Sequence, residues 1–299
     1  MSRSSTPRWL PFVVLGVGLV AISFGAILAR LAQGAGLPSL AIAALRLGLA
    51  VLIVSPVALW QSRRALLSMT RRQVLLALGA GFFLALHFAS WISSLEYTSV
   101  ASSTALVTTN LLWVGIASFV LFGDKPCRLT LAGTVIAIAG SLLIFWSDSS
   151  KAAPGSNPLL GNLLALVGSW CFSAYLLLGR RLRADLPLPA YIWLAYGMAA
   201  LFLLLACGGA GVPLTGYSAP AYLVALGMAL GPQLLGHTAY NWSLKHVSMV
   251  FIAVVTLGEP VGSAALAWLI FGESFAPLQA AGFVLLLGGI YLAARGEGG

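Results

Sequence analysis

Four ionisable residues, Arg46, His87, His237 and Glu259, lie inside long apolar stretches of this 299-residue chain. An ionisable group inside a membrane is costly, so each is a functional candidate by default. Glu259 lies near the middle of its stretch and is followed by Pro260, which removes a backbone hydrogen bond and should kink or break a helix. Glu259 and Pro260 together predict a functional hinge in this helix. The alternative is a kinked packing site in which Glu259 is neutral or paired.

Arg46 and Glu259 come to a similar depth when a rise of about 1.5 Å per residue is counted from opposite sides of a hydrocarbon core about 30 Å thick. This depth alone suggests a buried Arg46–Glu259 ion pair. Two alternatives stay open for Arg46. It could face a water-filled cavity and bind the carboxylate of a substrate, or it could extend to the membrane interface.

Aromatic and amide side chains accompany His87 in the interior of the apolar stretches. The candidates for lining a cavity with it are Trp91, Asn110, Trp113, Trp170, Phe172, Tyr175, Tyr240 and Asn241. Ligand cavities are mostly apolar with a few placed polar groups, so this set would suit a flat, partly apolar solute. The alternative for each aromatic is packing against lipid or a neighbouring helix. His237 is the less specific of the two intramembrane histidines.

No enzyme signature is present. The chain contains no H-E-x-x-H, G-x-S-x-G or Walker A motif, so no catalytic residue is assigned and no enzyme activity is expected. Its three cysteines, Cys127, Cys171 and Cys207, have neither disulfide nor metal-ligand spacing. We therefore expect no cofactor and no metal.

Composition indicates a membrane protein. Sixty per cent of the residues are hydrophobic and 8% are charged, whereas soluble domains carry roughly a quarter of charged residues. The net charge of +9 comes from arginines in short loops, which is a sign of topology and not of nucleic-acid binding. The first apolar run is too long for a signal-peptide core and is interpreted as a span.

The apolar runs predict an all-α membrane protein with ten spans. They cover 10–31, 38–60, 73–95, 98–122, 128–147, 159–180, 188–207, 219–244, 247–271 and 275–294, and a helix of roughly 20 residues crosses the hydrocarbon core. The polar segment 148–158 separates them into a first five-helix repeat, 1–147, and a second, 159–299.

The two halves repeat each other. A shift of 149 positions places Leu95 on Leu244, Phe122-Gly123-Asp124 on Phe271-Gly272-Glu273, and Gly140 on Gly289. Self-similarity over nearly half the chain indicates duplication. Because each half has five spans, the second half must enter the membrane in the opposite orientation, which gives inverted repeats.

The positive charges set the orientation. One side of the membrane would carry Arg3, Arg8, Arg63, Arg64, Arg71, Arg72, Lys125, Arg128, Arg180, Arg181, Arg183, Lys245 and Arg295. The other side would carry Arg30 and Lys151. Lysine and arginine concentrate on the cytoplasmic side, so both termini are predicted to be cytoplasmic.

The motifs resemble those of the EamA-type permeases in the drug/metabolite transporter superfamily over essentially the whole chain. They are Ala-Ala-Leu-Arg-Leu at 43–47, Leu-Gly-Glu-Pro at 257–260, Phe-Gly-Asp or Phe-Gly-Glu at 122–124 and 271–273, and glycine-rich spans five and ten. His87 with Asn-Leu-Leu-Trp at 110–113 is similar to the YddG-like bacterial aromatic amino acid exporters. Leu111 stands where the second half has Pro260, so the sequence does not predict a symmetrical pair of kinks.

The resemblance implies export of amino acids, aromatic or other apolar ones, and related metabolites across the bacterial inner membrane by alternating access. The cavity would lie between the halves, and the glycines of spans five and ten would pack tightly at a contact between halves or between two chains. The expected partners are a small-molecule substrate and the lipid bilayer, without nucleic acid, and a monomer is compatible with the pattern. Alternatives are a proton-coupled drug or sugar-phosphate carrier, or a channel or structural membrane subunit.

Overall fold

The computed structural model describes residues 7, 9–123, 127–149, 157–272 and 276–297. Within those ranges the chain is helices and connecting turns, without strands. Most of the predicted linker, and Asp124 and Glu273 of the Phe-Gly-acid motifs, lie outside the described residues.

Helices cover each of the ten apolar runs. The first half contains α1 Leu10–Gly34, α2 Ser39–Gln61, the short α3 Arg63–Leu67, α4 Arg71–Ser94, α5 Val100–Val107, α6 Asn110–Phe122 and α7 Arg128–Ser149. The second half contains α8 Pro158–Asp185, α9 Leu188–Gly209, α10 Ala219–Met228, a π-helical segment Ala229–His237, α11 Thr238–Ser243, α12 Met249–Thr256, α13 Glu259–Phe271 and α14 Pro277–Glu297.

Seven helical stretches in the described part of the chain are long and apolar enough to cross a membrane. They are Leu10–Gly34, Ser39–Gln61, Arg71–Ser94, Pro158–Asp185, Leu188–Gly209, Ala219–Ser243 and Phe251–Phe271. The chain is therefore an all-helical, multi-pass membrane protein. The full count of ten spans stays a prediction.

The fourth and ninth apolar runs are each two helices, interrupted at the same repeat position. In the second half the break at Leu257–Gly258 directly precedes Glu259 and Pro260, as expected for a mid-run proline. The first half breaks at 108–109 without a proline, so the symmetrical pair of breaks that the sequence did not predict is present.

Two threonines lie at the break in the first half. The Thr108 hydroxyl donates to the Ala105 carbonyl at 2.9 Å, and the Thr109 hydroxyl donates to the Leu106 carbonyl at 2.7 Å. Hydroxyls that bond to carbonyls of the preceding turn compete with the helical ladder and bend helices. The α5–α6 break thus carries two such hydroxyl bonds, whereas the α12–α13 break is followed by Pro260.

The closest helix contacts join the two halves. Helix α4 packs against α8 and α9, α1 packs against the π-helical segment and α13, and α2 packs against α9. The main contacts are the same seen from either half. The contact of α4 with α8 is equivalent in the repeat to the contact of the π-helical segment with α1. Each half therefore depends on the other for most of its buried surface.

Helix α7 packs along α14 through glycine. A Cβ atom placed on Gly133 would lie 2.5 Å from the Gly289 carbonyl oxygen, and one on Gly140 would lie 2.6 Å from the Gly282 carbonyl oxygen. Small residues at such spacing let two backbones approach closely in a membrane. Of the two contacts predicted for these glycines, the structure shows the one between halves.

Substitution of Gly289 should destabilise this contact. A Cβ at Gly289 would lie 2.5 Å from the Ala137 amide nitrogen, whereas one at Gly288 meets nothing within 4 Å. Overpacking typically costs about 1–3 kcal/mol. We expect Gly289→Leu to lower the thermal unfolding temperature of the detergent-solubilised protein and Gly288→Leu to leave it near the wild-type value. Equal loss in the two variants would contradict tight packing at Gly289.

Candidate functional site

A narrow cavity of about 20 Å³, room for about one water molecule in this conformation, lies between the two halves. It is lined by Ile22 and Gly25 of α1, Arg46 of α2, His87 and Trp91 of α4, Val107, Thr108 and Asn110 at the α5–α6 break, Phe172 of α8, Pro232 and His237 of the π-helical segment, Tyr240 of α11, and Thr256 and Glu259 at the α12–α13 break. Both helix breaks thus open onto this cavity. Non-helical backbone at membrane depth is tolerated where it lines such a space.

Arg46 is fully buried and held by uncharged groups. Its Nε donates to Gln233 Oε1 at 2.8 Å, and its guanidinium carbon lies 4.0 Å from the centroid of the Phe88 ring. Its Nη1 atom is buried with no hydrogen-bond partner among the described residues. A cation over an aromatic face is stabilised by the ring quadrupole. Nη1 is the donor that remains for a ligand.

Glu259 is buried on another side of the same cavity. It occupies the first turn of α13, where unpaired backbone N–H groups favour a negative charge. In the described part of the chain no direct ion pair joins it to Arg46, whose Nε bonds to Gln233 instead. Arg46 and Glu259 therefore face the same cavity but do not form the ion pair that their similar depth in the membrane suggested.

His87 is fixed by one hydrogen bond and by aromatic contacts. Its Nδ1–H donates to the Gly168 carbonyl at 3.0 Å, because a carbonyl can only accept. Its ring lies parallel to Trp91, with centroids 6.1 Å apart, and 4.8 Å from Phe172. His237 meets the His87 ring edge-on at 6.3 Å. The two histidines form one wall of the cavity.

Several polar atoms around the cavity have no partner in the ranges that the structure describes. They are Arg46 Nη1, Trp91 Nε1, both amide atoms of Asn110, and the Tyr240 hydroxyl. A buried polar group left without a hydrogen bond costs about 1–3 kcal/mol. Their convergence on one cavity indicates a site that receives a polar ligand or water.

Seven sequence-predicted residues meet at this cavity: Arg46, His87, Trp91, Asn110, Phe172, Tyr240 and Glu259. Pro260 follows Glu259 and is itself buried, at the start of α13.

Tyr175 and Asn241 form a network beside the cavity. The Tyr175 hydroxyl donates to Asn241 Oδ1 at 2.7 Å, and Asn241 Nδ2 donates to the Tyr196 hydroxyl at 3.0 Å. Tyr175 stacks on Phe172, with centroids 5.9 Å apart. These residues support the wall and do not line the space itself.

Trp113 and Trp170 lie elsewhere. Their rings touch edge-to-face at 5.7 Å, and the side chains are 42% and 50% exposed on the outside of the bundle. Neither lines the cavity, so their placement in it is corrected. Both helices carry apolar residues on their exposed side as well as on their buried side, so hydrophobic pattern alone does not select the face that points inward.

The sequence analysis did not identify Gln233, Phe88, Thr108 and Thr256, and it considered His237 less specific than His87. Gln233 carried a signal, since it is a polar residue next to Pro232 inside an apolar run. That pattern is typical of a functional break in a membrane helix.

Side chains bond to the backbone of neighbouring helices near opposite ends of the bundle. Near one end Gln33 Nε2 donates to the Ile92 carbonyl at 2.9 Å, and near the other Arg183 Nε donates to the Asn241 carbonyl at 3.1 Å. Ile92 and Asn241 are equivalent in the repeat, 149 positions apart. The ends are opposite because α4 and α8 are antiparallel, with Thr98 bonded to Asn162 at 3.0 Å.

Asn110 and Asn241 allow a test of the site. Asn110→Leu removes two unpartnered polar atoms, so we expect unchanged or higher thermal stability together with weaker ligand binding or transport. Asn241→Leu breaks two buried hydrogen bonds and should cost about 1–3 kcal/mol. Thermal unfolding of the two purified variants distinguishes these cases. A large loss of stability in Asn110→Leu would show that Asn110 is structural.

Comparison with known proteins places these features in a family. The model of the EamA-like transporter family matches residues 7–146 and 159–295. The two matched segments correspond to the two halves.

Individual relatives agree with this match. The chain is 28% identical over 305 residues to the threonine/homoserine exporter RhtA of Escherichia coli K12, covering 99% of this chain and 94% of that protein. It is 25% identical over 199 residues to an uncharacterised transporter of Clostridium kluyveri, covering 65% of this chain and 63% of that protein. A solved crystal structure superposes with a TM-score of 0.73 at 19% identity, covering 95% of this chain and 97% of its own, which shows a shared fold.

Proposed function

The chain belongs to the EamA-like transporter family, and from this premise we propose that it exports amino acids from the cytoplasm across the bacterial inner membrane. The observation that carries the proposal is the cavity with Arg46 and Glu259 on its walls. An amino acid carries one negative and one positive group close together. The two side chains supply the opposite charges at one site.

Arg46 would bind the carboxylate of the substrate and Glu259 its ammonium group. Arginine Nη1 is unpartnered, and a charge-assisted hydrogen bond to a carboxylate is roughly twice as strong as a neutral one. Leaving one member of a buried charge pair alone costs about 3–5 kcal/mol, so the zwitterion would compensate both protein charges at once. A ligand with a single charge would leave one of them uncompensated.

The other residues that line the cavity determine which amino acid side chain the site prefers. Asn110 and the Tyr240 hydroxyl are unpartnered, which favours a small amino acid with a hydroxyl group. The threonine/homoserine exporter among the relatives supports this choice. The aromatic walls formed by His87, Trp91 and Phe172 support the sequence-based choice of aromatic amino acids.

Alternating access would use ten spans as inverted repeats with cytoplasmic termini. Support comes from the one-sided distribution of positive charges in the sequence, from the exchangeable packing of the halves, and from the equivalent helix breaks at the cavity. In such transporters the site lies near the mid-plane between repeats, and each repeat can adopt the conformation of the other.

A proton-coupled carrier of the same family is the second candidate. The observation that favours it is the burial of Glu259 at the cavity, because intramembrane carboxylates act as proton relays in pumps and transporters. In that case the substrate flux would require a pH gradient.

Transport in proteoliposomes tests the proposal. We expect saturable flux of labelled threonine or homoserine in the wild type, and a fall of at least about tenfold in Arg46→Gln and in Glu259→Gln, since tenfold corresponds to only about 1.4 kcal/mol. Arg46→Lys keeps the positive charge but lacks the planar guanidinium, so its flux should fall less than that of Arg46→Gln. The exposed Arg64→Gln is the matched control.

The substrate panel and a pH gradient separate the alternatives. Stronger flux of tryptophan or phenylalanine than of threonine would select the aromatic substrates. Proton coupling would be selected if the wild-type flux vanishes without the pH gradient and the residual flux of Glu259→Gln does not depend on the gradient. Absence of flux for every amino acid would refute amino acid export.

Reporter fusions test the orientation. An alkaline phosphatase fused after residue 155 should be active, because segment 148–158 is predicted to lie outside the cytoplasm. The same enzyme fused after residue 299 should be inactive, while a fluorescent protein at that position should fold and fluoresce. The reverse pattern would show that the positive charges do not mark the cytoplasmic side here.

A further inference from the structure

Gln233 lies in the π-helical segment Ala229–His237, which connects α10 and α11. Pro232 precedes it and lacks the N–H group of a regular helix. π-Helical turns are rare and occur frequently at functional sites. The wide turn carries Pro232 and His237 to the cavity wall and Gln233 to Arg46.

The segment is fixed by close contact with α1. A Cβ on Gly236 would lie 2.5 Å from Ile22 Cγ1, and one on Gly18 would lie 2.8 Å from the Ala239 Cβ. Little space therefore remains for the segment to shift along α1. Gln233 is held by backbone packing as well as by its own side-chain bond.

Gln233 is fully buried and bonds to Arg46 by Oε1, while its Nε2 has no partner in the described ranges. Arg46 is thus oriented by an amide oxygen and by the Phe88 ring, both uncharged. A carboxylate in place of the amide would satisfy the same Nε but would also neutralise the guanidinium. The choice of an amide leaves the positive charge available to the cavity.

We infer that Gln233 is the positioning residue for Arg46 and that its neutrality sets the preference for substrates with a free carboxylate. Its bond to Nε holds the guanidinium so that Nη1 remains for the ligand. This inference deepens the proposed function and rests on it for the identity of the carboxylate compound.

The test compares Gln233→Glu, Gln233→Met and the exposed control Gln61→Glu in proteoliposomes. The competitors of labelled threonine are unlabelled threonine and threonine amide, which keeps the ammonium group but lacks the carboxylate. In Gln233→Glu we expect threonine to lose at least about tenfold in affinity, which corresponds to one lost charge-assisted bond. Threonine amide should lose less affinity than threonine in this variant. The ratio of their two inhibition constants should therefore shift about tenfold or more relative to the wild type.

Gln233→Met removes the acceptor without adding a charge. We expect its KM for threonine to rise several-fold while the maximal rate changes little and the preference for the carboxylate persists. A merely structural role would lower the amount of folded protein or the maximal rate equally for both compounds. Wild-type selectivity in Gln233→Glu, with threonine still transported, would overturn the role of Gln233 and leave amino acid export standing.

A binding measurement keeps the inference testable if no amino acid is transported. The probes are then acetate and benzoate, and the readout is thermal stabilisation of the detergent-solubilised full chain. Stabilisation of the wild type and of Gln61→Glu, lost in Gln233→Glu, would support the positioning role while amino acid export fails. No stabilisation, or equal stabilisation in all three proteins, would overturn it.

Discussion

A guanidinium held away from water in the middle of an apolar bundle is the constraint on which the site depends. Desolvation of a charge is costly, and the cost is reduced by hydrogen bonds and by nearby opposite charge. Arg46 donates one hydrogen bond to Gln233, lies over one aromatic ring and faces a carboxylate across the cavity. Its charge is solvated only in part, and the cavity with its unpartnered polar atoms is the place where the rest of that solvation must come from.

The helices far from the cavity are continuous, whereas some of those that line it are interrupted. Helices α7 and α14 approach through Gly133, Gly140, Gly282 and Gly289 and have unbroken ladders. The elements at the cavity are interrupted at α5–α6 and α12–α13. Backbone that leaves regular helix inside a membrane needs partners from protein or water. Conformational change is therefore less costly around the cavity than along α7 and α14.

The sequence predicted the helices better than the faces they present. Apolar runs gave their positions, and Pro260 marked the break at α12–α13, because proline has one dominant effect on a helix. Thr108 and Thr109 gave no comparable warning, since threonine occurs in membrane helices with and without a bend. Trp113 and Trp170 were misplaced because an apolar helix has no polar face to orient it, and lipid accepts aromatics as readily as the interior does.

The repeat explains why the site combines symmetric shape with asymmetric charge. Trp91 and Tyr240 are equivalent positions, as are Asn110 and Glu259, and all four line the cavity. Arg46, by contrast, corresponds to Ala195, and Gln233 to Leu84. Under the proposed duplication, the broken helices and the aromatic walls would have arisen twice, and later divergence would have left the positive charge in one half and the negative charge in the other. In the proposed function a ligand with two opposite charges would bridge the halves, so its binding energy would act on the interface that has to rearrange when the cavity opens.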